Sequence, residues 1–166
     1  MKRVVEINLI NASTNVPVKA KNHPDFAIKL ARRAGRRGEI PVAALVLHND
    51  SVISAASNRV EELRDSSAHA EILALRLAHS RMGNERLEQC DLLVTLEPCT
   101  MCTGMAVQAR IRKIFYLARE KKIPAAEKIL TLDRHGHIPQ LIYLSHYAPK
   151  AEALMTDFFL ALRQVR

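Results

Sequence analysis

The chain has no tryptophan, and its other aromatics are four Phe and three Tyr in 166 residues. Its core must therefore be assembled mainly from Leu, Ile, Val and Ala. No apolar run approaches the roughly 18 residues that a membrane-spanning helix requires, which excludes a membrane protein of that kind. The opening Met1-Lys2-Arg3-Val4-Val5-Glu6-Ile7-Asn8 carries basic residues, but an acid and an amide break the apolar stretch behind them. It does not read as a signal peptide. Cysteine is scarce: Cys90, Cys99 and Cys102 cannot all pair within one chain. Without a secretion signal, this points to a reducing cytoplasm and to thiols free for metal or catalysis. No internal repeat and no low-complexity tract is present.

What remains is an ordinary globular composition, 48% hydrophobic and 25% charged. One domain is expected at this length, burying roughly two-thirds of the surface of its unfolded chain. Basic residues outnumber acidic ones, 25 against 17, for a net charge of +8 and a pI near 9.8. A polyanionic partner and a merely soluble basic protein are equally good readings of that balance.

Residues 1–22 are rich in Asn and show no helical period, so they form an extension ahead of a domain over 23–166. His23-Pro24-Asp25 opens a first helix that ends at Gly35 or Gly38. Val42–Leu47 and Val52–Ala55 read as a hairpin of strands around His48-Asn49-Asp50-Ser51. Ser66 and Ser67 can cap a helix from about Ala68 to His79. Further strands are expected at Asp91–Leu96, Ile114–Leu117 and Leu141–Leu144. Helices are expected at Cys99–Arg110, Ala125–Leu130 and over the stripe Ala151, Leu154, Phe158, Leu162, Val165. Helices alternating with strands after a hairpin make an α/β layered domain around one mixed sheet.

Two short motifs carry chemistry: His69-Ala70-Glu71, and Pro98-Cys99-Thr100-Met101-Cys102. Alone, Cys-x-x-Cys fits a redox pair, a zinc half-site or coincidence. Here it follows a strand and opens a helix, where thiolates are favoured by the helix N-terminus. One imidazole and two thiolates are three ligands, a set that suits Zn²⁺ and leaves a fourth position for water. Cys90 stands before a strand and reads as a small buried hydrophobe, and His135-x-His137 as a polar turn. With Glu71 beside the metal, the set describes a hydrolytic site: zinc lowers the pKa of a coordinated water, and the carboxylate shuttles its proton. His-x-Glu followed by Pro-Cys-x-x-Cys is the arrangement of the zinc nucleobase deaminases. A closed zinc clip with a surface Glu is the competing structural reading.

Beyond these motifs the sequence resembles the bacterial tRNA adenosine deaminases, which convert the wobble adenosine of an anticodon to inosine. The resemblance runs from about Asp25 to Arg163. It is carried by Gly38-Glu39-Ile40-Pro41-Val42, Asn58-Arg59, Ser67–Ile72, Val94–Cys102 and Asp157-Phe158-Phe159. It implies a three-layer cytidine deaminase-like fold, a mixed five-stranded sheet flanked by helices. It implies one Zn²⁺ per chain held by His69, Cys99 and Cys102, with Glu71 as proton shuttle. It places Asn58, Ile40, Pro41 and Ala70 against the substrate, and it implies a homodimer. The chain departs from the family pattern at Ala43, at Thr103 and across Leu117–Ala126, where the family's glycines are missing.

Three basic clusters stand out: Arg32, Arg33, Arg36 and Arg37; Arg110, Arg112 and Lys113; and Arg119, Lys121 and Lys122. The third is expected to meet the RNA backbone, and Phe158 and Phe159 are expected mostly in the core. The leading expectation is deamination of adenosine in a tRNA anticodon loop. The alternatives are a deaminase of a free base or nucleoside of the guanine or cytosine type, and a non-catalytic zinc-stabilised interaction domain.

Overall fold

The computed structural model describes residues 23–120 and 136–164. The extension over 1–22, the expected helix at Ala125–Leu130, and Lys121, Lys122, His135 and Val165 lie outside the described residues.

Helix α1 (His23–Arg36) buries Ala27, Ile28, Ala31 and Ala34 on one face. Strands β1 (Ala43–His48) and β2 (Ser51–Ser57) form the expected hairpin. Its two-residue turn, Asn49-Asp50, takes positive φ at both positions, the geometry that matches the twist of the flanking strands. A four-residue helix, α2 (Val60–Leu63), follows β2. It has no apolar period and was not foreseen. Helix α3 (Ala70–Met82) begins later than the Ser66-Ser67 capping signal predicts. The Ser67 hydroxyl donates instead to Asp65 Oδ1 at 2.7 Å, and His69 takes the capping position.

Strand β3 (Cys90–Val94) leads into α4 (Thr100–Gln108), and β4 (Lys113–Tyr116) and β5 (Gln140–Tyr143) complete the sheet. Helix α4 ends short of the expected Arg110, which turns the chain with φ 59°. A 3-10 turn at Ser145–Tyr147 precedes the last helix, α5 (Ala148–Gln164), which accepts Pro149 in its first turn.

The sheet order is β2-β1-β3-β4-β5. The first three strands pair antiparallel, and β3, β4 and β5 pair parallel. Side chains alternate across it. Ala44, Val46, Leu92, Val94 and Ile114 face α3 and α4, while Ala43, Leu45, Leu47 and Leu93 face the side covered by α1 and α5. The result is the expected three-layer α/β arrangement. One expectation fails. Phe159 and Leu162 are 41% and 47% exposed rather than core, because α5 docks through Ala151 and Leu154 near its start and its later turns run clear of the sheet.

Candidate metal centre and active site

Two helix N-termini converge at the end of β3. His69 caps α3 and Cys99 caps α4, both in extended backbone, and neither side chain makes a capping hydrogen bond. Ser, Thr, Asp or Asn at such a position stabilises a helix by about 1 kcal/mol relative to Ala. Here that contribution is given up, and the two side chains turn to each other. His69 Nδ1 lies 3.7 Å from Cys99 Sγ and 3.6 Å from Cys102 Sγ. The three donor atoms fall within 4.8 Å of one another. A tetrahedral zinc with Zn–S near 2.3 Å and Zn–N near 2.05 Å separates sulfur from nitrogen by about 3.6 Å. The donor set therefore fits zinc in both chemistry and spacing. Cys90 is 1% exposed at the start of β3 and stands outside the set. His137 Nε2 meets the Ile111 carbonyl oxygen at 2.7 Å instead.

The electrostatics follow from this crowding. Cys99 is pulled down to about 4, first by its hydrogen bond with Cys102 and then by that with His69. Cys102 is pushed up by that same shared hydrogen bond and by burial. His69 is raised, chiefly by its hydrogen bond to Cys99. Glu71, in the first turn of α3, is only 3% exposed. Burial raises its pKa above the ordinary carboxylate range. Its Oε2 is buried with no hydrogen-bond partner, an acceptor left open beside the metal donors.

Asn58 follows the end of β2. Its N–H donates to the Val42 carbonyl oxygen at 3.1 Å, and its Oδ1 accepts the Ala70 N–H at 2.8 Å. That leaves the side-chain NH₂ as the group not used by Ala70. Ile40 is exposed and Pro41 buried in the turn that leads into β1. Gly35 packs against that turn, where a Cβ would meet Pro41 Cβ at 3.4 Å, ordinary contact distance. Arg119 is exposed, its guanidinium 4.8 Å from the centroid of the Tyr143 ring. A cavity of about 320 Å³ opens beside Leu96 between Arg119 and the Met155–Phe159 face of α5, without the metal donors in its lining.

Some contributors have a part that the sequence did not assign to them. Glu39 is buried and its Oε1 accepts the Glu62 N–H at 2.9 Å, fastening α2 to the turn at Ile40-Pro41. Glu97 is buried too, and its Oε2 accepts the Glu120 N–H at 3.2 Å. Thr103, fully buried in α4, donates to the Pro98 carbonyl oxygen at 3.4 Å. The available signal was a polar residue set between apolar neighbours, which a surface residue shares.

Residues 17–118 match the cytidine and deoxycytidylate deaminase zinc-binding region. A tRNA-specific adenosine deaminase of Aquifex aeolicus is 38% identical over 138 residues, covering 82% of this chain and 91% of the relative. A solved structure described in a study of A-to-I editing by tRNA:A34 deaminases at the wobble position aligns with a TM-score of 0.73. It is 35% identical over 78% of this chain and 96% of its own. A guanine deaminase from Nitrosomonas europaea aligns with a TM-score of 0.80 at 26% identity, over 95% of this chain and 97% of its own. Together with the donor set of His69, Cys99 and Cys102, these likenesses place the chain in the cytidine and deoxycytidylate deaminase zinc-binding family, among the tRNA-specific adenosine deaminases, as a zinc-dependent deaminase.

Proposed function

We propose that this chain deaminates the wobble adenosine of a tRNA anticodon to inosine. The observation that carries the chemistry is Glu71 Oε2, a buried acceptor with no partner, set beside a three-donor metal site. The tRNA-specific relatives support the substrate. When bound, zinc supplies the Lewis acid that makes water a nucleophile at neutral pH. Glu71 accepts the proton of the attacking water at Oε2. It delivers that proton to ring N1 as the C6–O bond forms, then takes the remaining proton of the new C6 hydroxyl and passes it to N6, so that the C6–N6 bond breaks, C6=O remains and ammonia leaves. A carboxylate whose pKa is raised by burial suits both the accepting and the donating step. Asn58, held by Ala70, offers its NH₂ to the base and ribose, and Ile40 and Pro41 form the pocket wall. An adenosine in an anticodon loop is already outside a duplex, so extruding it costs little.

The enzyme is further proposed to act in the cytoplasm, as a homodimer. Three cysteines without disulfides suit that compartment. Exposed Met101 on α4 and Met82 at the end of α3 suit a subunit contact.

The likeness to the guanine deaminase favours a second reading, hydrolysis of a free purine. One comparison decides. Purified protein is offered whole tRNA and, separately, guanine, adenosine and cytidine, and ammonia release and inosine formation are measured. Inosine in tRNA with free bases inert supports the proposal. Turnover of guanine with tRNA untouched overturns it.

A further inference from the structure

Helix α1 carries its charge on one side only. Lys29, Arg32, Arg33, Arg36 and Arg37 recur at helical spacings of three and four, and all five are exposed. Ala27, Ile28, Ala31 and Ala34 fill the opposite, buried face. From Lys29 to Arg36 the stripe spans about 10 Å of helix at 1.5 Å per residue, and Arg37 stands just past the helix end. Like charges at i,i+4, such as Lys29 with Arg33 and Arg32 with Arg36, weaken a helix. The helix dipole accounts for cations in the last turn but not for the earlier ones.

Among the described residues, none of the five forms an ion pair. Three acids near the stripe are already engaged. Asp25 pairs with Lys150 at 3.0 Å. Glu39 is buried against the Glu62 N–H, and Glu62 is gripped by both Nε and Nη2 of Arg59. The stripe ends at the substrate pocket. Arg37 Nη2 donates to Ser57 Oγ at 3.0 Å and reaches the Asn58 carbonyl oxygen at 3.5 Å. A cationic ridge without ion pairs among the described residues is thus pinned, at one end, to the backbone of the residue assigned to the base and ribose.

We propose that this α1 stripe binds the ribose-phosphate backbone of the RNA flanking the nucleotide being deaminated, an inference that rests on the RNA substrate proposed above. Rows of Lys and Arg displace counterions from phosphates, and affinity then falls steeply with salt. A free purine has no phosphate and gives the stripe nothing to hold.

The test is Lys29→Gln/Arg32→Gln/Arg33→Gln/Arg36→Gln, with Arg37 left in place. Gln keeps helix propensity, and zinc content with a thermal melt shows that the fold is intact. With tRNA as probe, each lost contact lowers the slope of log affinity against log salt by roughly 0.7 to 0.9. For four contacts the expected loss is about 2.8 to 3.6 in slope, with at least a tenfold weaker affinity at 0.15 M salt. Arg32→Lys/Arg33→Lys/Arg36→Lys, which keeps the charge, is expected to retain the parent's slope. A steep parent slope that the Gln variant shares overturns the stripe while leaving the RNA substrate standing. Loss of binding to vesicles containing 30% phosphatidylserine, with the tRNA slope unchanged, assigns the stripe to a membrane surface and also overturns it. A parent that turns over guanine and neither binds nor deaminates tRNA removes the substrate reading, and the inference with it.

Discussion

Glu71 is pulled in two directions. The first turn of α3 favours its anion, while burial disfavours it, and burial wins. It stands outside the three-donor set. Glu71→Gln therefore keeps zinc at the parent's stoichiometry while turnover falls roughly 10²- to 10⁴-fold, the usual worth of a positioned proton carrier. Metal analysis alongside steady-state kinetics checks this, and a Gln variant of parental activity removes Glu71 from the proton path. His69, Glu71, Cys99 and Cys102 could be read directly from the sequence, because few residue types bind zinc or carry protons and their spacings are short. Glu39, Glu97 and Thr103 could not. A buried carboxylate that accepts a backbone N–H is spelled like one in solvent, and only the folded chain shows its partner.

The helices expose the same contrast. α1 was legible from its apolar period and α3 from its capping signal; α2 was not, since it has four residues and its hold comes from Glu39 across the turn. The start of α3 was misplaced because Ser66-Ser67 looks like a cap, while His69 occupies that position to serve the metal. Removing a metal donor should then loosen both helix starts. Cys99→Ala and Cys102→Ala are each expected to lose zinc and to lower the melting temperature, since metal binding is linked to folding. One zinc per chain in either variant counts against the donor set. A pH effect belongs to α2. Glu62 is held below the ordinary carboxylate range by its hydrogen bonds from Arg59. A depressed folded pKa means stability that is present above the unfolded value and lost as pH falls below it. The pair is partly exposed, with side-chain accessibilities of 13% and 46%, so screening keeps its worth to about 0.5 kcal/mol. Glu62→Gln should cost about that much at pH 7 and progressively less as the pH falls below the unfolded value and through the folded one, measured by urea unfolding across that range.

For the whole molecule, the question is whether zinc builds the fold or only the site. The sheet carries apolar residues on both faces, with α3 and α4 covering one and α1 and α5 the other. Neither face depends on the metal, so the chain without zinc should remain folded. Yet α3 and α4 belong to one core cluster, and tethering their starts to a common ion stabilises the whole. Zinc at a hundred times its dissociation constant adds about 2.7 kcal/mol. For a chain of this size, that moves the melting temperature by roughly 5–10 °C. A chelator is expected to lower the transition by that amount and leave it cooperative, and added zinc should restore it. Leu75→Ala makes the counterpart. Leu75 is fully buried in α3, and the cavity left by its truncation costs about 2–5 kcal/mol. It sits away from the donor atoms, so the variant should melt earlier yet hold one zinc per chain and still shift upward when zinc is added. Calorimetry with and without chelator separates the two effects. A chelated parent that is already unfolded at 25 °C shows instead that the two apolar faces are not sufficient and that the metal is part of the core.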